Sequence, residues 1–122
     1  CAYLVPPDMI SYSTTKASMH AVSRGLALLT KGTGVTSNVV VPGSTLTKGA
    51  KTFLADKAKE YDTSQEAVEK DFFNNDRTSS LLKRFASTDE VATTIAYLCS
   101  PLSSATNGSV IKVDGGSSGG IL

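Results

Sequence analysis

Residues 35 to 41 read VTSNVVV, and the closing run of valines is β-branched and unbroken rather than alternating. A strand with one solvated face alternates apolar and polar side chains, so an unbroken run predicts a strand covered on both faces. Pro42 and Gly43 stop it. Covering both faces takes helices, and helical patterns lie on either side of this run.

From Ser11 to Lys31 the segment SYSTTKASMHAVSRGLALLTK places Met19, Val22, Leu26 and Leu29 at steps of three, four and three, the stripe of one helix face. Lys31 and Gly32 suit its C-terminus. Before it, residues 1 to 10 are short, apolar and interrupted by Pro6 and Pro7, which predicts the end of a strand running into a loop. Residues 48 to 76 are charged and irregular. One helical stretch is centred on Phe53, Leu54, Ala58 and Tyr61, and a second is opened by a capping box of Thr63 and Glu66. This region reads as a mobile helical lid rather than core. A second capping box, Ser87 with Glu90, opens a helix with Val91, Ile95 and Leu98 as its buried stripe and Pro101 beyond its end. Asn107 and Gly108 then turn the chain into a short strand, SVIKV, over 109–113. Helix and strand in alternation with short turns predict an α/β layer structure with a parallel sheet.

Bulk properties bound the function. The chain has 122 residues, 40% hydrophobic and 19% charged, enough for one core but not two. Its 12 Lys and Arg are scattered and balanced by 11 Asp and Glu, which argues against a nucleic-acid surface. Cys1 and Cys99 form neither a disulfide framework nor a metal spacing, so a reducing, cytoplasmic compartment is expected. No apolar run approaches the roughly 20 residues of a membrane span, and the start lacks the basic flank of a signal peptide. A chain that begins with Cys reads as a piece of something longer.

Tyr12 stands four positions before Lys16, so both side chains project from one helical face. Taken alone the pair is weak, because a tyrosine at a helix start and a lysine lying along the surface arise by accident. Its chemistry is nonetheless specific. A phenol is a poor base at neutral pH, and a fixed ammonium beside it favours the phenolate, which suits proton exchange with an alcohol or carbonyl oxygen.

Other features carry less. His20 lies one turn beyond Lys16 but has no second ligand or nucleophile in sequence, and reads as a packing or interface residue. The GTG of residues 32–34 follows a helix and precedes a strand, the reverse of a dinucleotide fingerprint, and the GGSSGG run from Gly115 opens no helix. Phe72, Phe73 and Phe85 read as lid and core packing.

In order along the chain stand YSTTK (Tyr12 to Lys16), NVVVPG (Asn38 to Gly43), Thr47 four residues beyond that glycine, the capped helix STDEVATTIAYLCS, and a last strand closing in VDGG at 113–116. Together these resemble the C-terminal half of the classical short-chain dehydrogenase/reductase family, and the resemblance covers the whole chain. It implies a Rossmann-type doubly wound parallel sheet of which this chain holds the C-terminal portion, residues 1–122 forming part of one domain with an active-site helix at 11–31 and a lid at about 48–76. It implies an NAD(P)-dependent oxidoreductase moving a hydride between nicotinamide and a carbonyl or secondary alcohol. Tyr12 would exchange the proton with the substrate oxygen, and Lys16 would bind the nicotinamide ribose while favouring the phenolate. Gly43 would let the backbone approach the nicotinamide, and Thr45 with Thr47 would hold its carboxamide and the phosphate region. It also implies a homo-oligomer, a tetramer or dimer, packed partly through the Tyr12 helix and the C-terminal strand.

Without that resemblance, Pro42 and Gly43 read as a strand-ending turn and Thr47 as a helix N-cap. The family's glycine-rich loop is absent from this sequence, and its catalytic serine would fall just ahead of Cys1. Ser11 and Ser13 are too close to Tyr12 to replace that serine. A rival expectation is therefore a non-catalytic fragment acting as an oligomerisation or binding module.

Overall fold

The structure, a computed structural model, describes residues 5–119. Cys1 and the first residues of the expected opening strand lie outside that range. Helix α1 spans Ile10–Leu29 and follows a 3₁₀ turn at Pro7–Met9. Strand β1 is Val39–Pro42, α2 is Lys48–Glu60, α3 is Gln65–Asp71, α4 is Thr88–Leu98 and β2 is Val110–Val113. The two strands pair in one sheet. Val39 N–H donates to Ser109 O and Gly43 N–H to Val113 O, so the partner advances in the same direction as the donor and the pairing is parallel. The strand expected over 35–41 begins only at Val39, and Val39–Val41 are half-buried rather than covered on both faces.

The chain folds as two compact units. One runs up to Val41 and resumes over Thr94–Ile111; the other comprises Pro42–Thr93 and the chain from Lys112.

In the first unit, α1 packs on an unexpected face. Met19, Val22, Leu26 and Leu29 are all exposed, Leu29 by 83%. The inward stripe is Ser13, Lys16, His20, Ser23 and Ala27, with Ser13 and Ala27 buried and the others half-buried. Small side chains let the helix approach its neighbours closely. Ser23 Oγ lies 3.0 Å from Ser37 Oγ, and Gly108, at φ +65°, lies against Ala27 and the end of the Arg24 side chain. The first half of α1 carries a row of hydroxyls turned back on the helix: Thr14 donates to Ile10 O, Thr15 to Ser11 O and Ser18 to Thr14 O. The helix ends at Thr30, and Gly32 takes φ +79° just beyond it.

Asn38 ties β1 to the turn before β2. Its Nδ2 donates to Thr106 O at 2.8 Å and its Oδ1 accepts Ser109 N–H at 3.0 Å, while Asn107 Oδ1 accepts Ser37 N–H.

In the second unit, the segment expected to be lid rather than core supplies the core. Leu54, Ala58, Val68, Phe73 and Phe85 form its buried cluster. The Phe72 and Phe85 rings stack at 5.2 Å, and Phe73 meets Phe85 edge-on at 5.1 Å. Most charged residues of α2 and α3 are exposed, and the apolar positions between them converge. Helix α3 is capped by Ser64, whose hydroxyl accepts Ala67 N–H at 3.1 Å, one residue later than the expected Thr63. It runs into a π-helical turn at Phe72–Asp76, which the Lys83 amine closes by donating to Phe73 O and Thr78 O. The Ser87–Glu90 capping box forms as expected. Of the stripe expected on α4, Val91 is buried, Leu98 is half-buried and Ile95 is 46% exposed. A two-stranded sheet offers too little surface to cover every apolar stripe.

Candidate functional site

The first unit holds Tyr12 and Lys16. Both lie in the opening turns of α1, and the Lys16 ammonium sits 5.4 Å from the centroid of the Tyr12 ring. The i, i+4 step puts the pair on one face, and a cation over an aromatic ring gains from the negative face of the π system. Tyr12 is 48% exposed while Lys16 is half-buried, so the tyrosine is open to a reactant with the amine beside its ring. Ser13, on the inward stripe with Lys16, is buried, and its Oγ has no hydrogen-bond partner among the described residues. His20 lies on the inward stripe with Lys16. Among the described residues no group of three or more His, Cys, Asp or Glu could hold a metal ion.

The second unit holds Gly43, Thr45 and Thr47. They follow one another across the turn from β1 into α2. The Thr45 hydroxyl donates to Gly43 O at 3.1 Å, which tightens the turn, and Thr45 pairs with Ala86 in an isolated parallel bridge. Thr47 is the N-cap of α2, its Oγ1 accepting Ala50 N–H at 3.3 Å. That is the capping role read for it from sequence alone. The same hydroxyl keeps its own proton, and the first N–H groups of an α-helix have no partner within the helix, so this end of α2 offers donors and a positive dipole end to an anion.

Gly43 itself faces β2. A Cβ at residue 43 would lie 2.6 Å from Asp114 Cα, nearer than any side chain can stand. Asp114 closes β2 and was read in sequence only as part of the VDGG signature. Beside α2 and α3 runs a groove of about 510 Å³ whose lining includes Leu46, Leu54, Lys51, Glu66 and Glu69. Glu69 is already engaged, accepting Phe85 N–H at 2.9 Å.

Comparison with known proteins identifies the family of the chain. The profile of the family described as enoyl-(acyl carrier protein) reductase matches residues 2–118. An uncharacterized oxidoreductase of Bacillus subtilis, YvrD, is 42% identical over 110 residues, covering 90% of this chain and 42% of that protein. The 2,3-dihydro-2,3-dihydroxybenzoate dehydrogenase of Escherichia coli is 33% identical over 109 residues, covering 89% of this chain and 42% of the relative. Among solved structures, the L-sorbose reductase of Gluconobacter frateurii, complexed with NADPH and L-sorbose, superposes with a TM-score of 0.75 at 28% identity, over 86% of this chain and 39% of that one. The chain thus belongs to the short-chain dehydrogenase/reductase family, and its α/β fold with a parallel sheet is the C-terminal part of that family's Rossmann-type domain. It spans less than half the length of the curated relatives it matches.

Proposed function

We propose that the protein is an NAD(P)-dependent oxidoreductase of short-chain dehydrogenase type, acting on a carbonyl compound or secondary alcohol, with Tyr12 as its general acid and base. The observation that carries this reading is the Lys16 ammonium held at 5.4 Å over the ring of a half-exposed Tyr12. Family membership, a dehydrogenase relative and an NADPH-bound structural neighbour support it.

In the reducing direction Tyr12 donates its phenolic proton to the carbonyl oxygen as that oxygen gains charge; in the oxidising direction it takes the proton from the alcohol. Lys16 stabilises the charge that develops on the phenolic oxygen and offers N–H donors to the ribose hydroxyls. Thr47 and the N-terminus of α2 fit a phosphate, since the Thr47 oxygen is used by Ala50 while its proton is not. When bound, the nicotinamide supplies or accepts the hydride. On the family resemblance alone, Gly43, Thr45 and Thr47 are assigned to the nicotinamide, and the α2–α3 segment to the substrate.

The exposed Met19, Val22, Leu26 and Leu29 favour a homo-oligomer that covers α1. We assign the protein to the cytoplasm on its cysteine usage. Among the described residues no helix is long and apolar enough to cross a membrane. The test of the reaction class is isotopic. With both hydrogens at C4 of the reduced nicotinamide replaced by deuterium, turnover of a carbonyl substrate deposits one deuterium on the product carbinol carbon; a product without deuterium overturns hydride transfer.

A further inference from the structure

Asp114 ends β2 in an Asp-Gly-Gly turn and clamps that turn with its own carboxylate. It accepts Gly116 N–H at 3.0 Å, Ser118 N–H at 3.0 Å and the Ser118 hydroxyl. Partial burial opposes the charge, but the hydrogen bonds from Ser118 and Gly116 outweigh it and hold the carboxyl below the usual range. Gly115 and Gly116 take φ +63° and +74°, a conformation that only glycine adopts without strain. The turn is also gripped from outside, because Gly115 O accepts N–H from both Leu81 and Leu82, at 2.9 and 3.0 Å.

Gly43 rests against this clamped turn. Its N–H donates to Val113 O at 3.1 Å, and a Cβ on it would stand 2.6 Å from both Asp114 Cα and Asp114 O. No side chain fits there unless backbone moves, so residue 43 is glycine for an intramolecular reason that holds with or without a ligand. What the Asp114 turn fixes is carried onward by the Thr45 hydroxyl on Gly43 O and by the Thr45–Ala86 bridge.

We propose that Asp114 is a positioning residue, which by clamping the Asp-Gly-Gly turn sets the backbone of Gly43 to Thr45 where that segment meets the nicotinamide. The ligand in this statement rests on the oxidoreductase reading; the geometry rests on the contacts above.

Two measurements on the intact protein test it. The first needs no cofactor: Gly43→Ala lowers the thermal midpoint of the unliganded protein or prevents folding, and an unchanged midpoint overturns the steric claim. The second is titration with NADH and NADPH, read by nucleotide fluorescence. Asp114→Ala weakens binding on the order of tenfold, the scale of one lost charge-assisted hydrogen bond, with KM for the carbonyl substrate unchanged. Asp114→Asn, which keeps one of two acceptor oxygens, recovers part of the loss. Ser118→Ala, which removes one donor, gives a smaller loss in the same direction and decides the matter should Asp114→Ala fail to fold. Wild-type affinity in folded Asp114→Ala, or in Ser118→Ala when only that variant folds, overturns the positioning role alone. A wild-type protein that binds neither nucleotide overturns the oxidoreductase reading beneath it.

Discussion

Ser87 and Glu90 hold each other at the start of α4: Ser87 N–H donates to Glu90 Oε2 at 2.7 Å, and Glu90 N–H donates to Ser87 Oγ at 3.1 Å. Arg84 adds a fork, its two terminal nitrogens donating to the two carboxylate oxygens at 3.0 and 2.8 Å. One carboxylate thus secures both the helix end and the segment leading into it.

That arrangement gives a pH dependence with a definite sign. The Arg84 guanidinium, then the Ser87 N–H, hold the Glu90 carboxyl at about 2 against an ordinary 4.5. The unfolded chain therefore takes up this proton at higher pH than the folded one. The contribution is complete above 4.5 and is lost progressively as the pH falls from 4.5 towards 2. Urea midpoints of the wild type fall more steeply across that window than those of Glu90→Gln; parallel curves contradict the assignment.

Phe73 is 2% exposed and sits among Phe72, Phe85 and the apolar faces of α2 and α3. Truncation to alanine removes a ring from the centre of the second unit's core. The expected loss is about 3–5 kcal/mol, measured by chemical denaturation. A loss below about 1 kcal/mol would show that the α2–α3 segment is not core.

Asn38 uses both ends of its amide, one on Thr106 O and one on Ser109 N–H. Asn38→Ala leaves two partly buried backbone groups unmatched and costs about 1–3 kcal/mol. Asn38→Asp keeps the acceptor but places an anion against Thr106 O, so it is destabilising too. A neutral effect of both, in denaturation curves, contradicts the bridging role.

Thr47→Ala removes the α2 cap and costs about 1 kcal/mol, whereas Thr47→Ser keeps the oxygen and is nearly neutral. On the oxidoreductase reading Thr47→Ala also weakens nicotinamide binding, and Thr47→Ser does not. Fluorescence titration beside thermal melting separates the two effects.

The sequence made some of this legible through local chemistry. The Ser87–Glu90 box depends on neighbours within a few residues and formed as read; the valine run became a strand only from Val39, because its extent is set by pairing with a segment about 70 residues on. The inward face of α1 did not announce itself, because Ser13, Lys16, His20, Ser23 and Ala27 carry little hydrophobic signal while Met19, Val22, Leu26 and Leu29 carry a strong one. Closeness of packing, not apolarity, selects that face. The cap of α3 shifted from Thr63 to Ser64 because adjacent hydroxyls offer the same chemistry and only backbone geometry chooses between them. In the candidate site, the i, i+4 step gave Tyr12 and Lys16 directly. The partner of Gly43 was hidden, since Asp114 meets it only through strand pairing across most of the chain.

The most direct test of the account is the Tyr12→Phe substitution in the intact protein, with nicotinamide-dependent turnover and nicotinamide affinity measured on the same sample. The account predicts that turnover is lost while the dissociation constant for the nucleotide stays close to that of the wild type, because the phenolic hydroxyl moves the proton and the ring still lies under Lys16. Turnover near the wild-type rate would contradict it and remove Tyr12 from the chemistry.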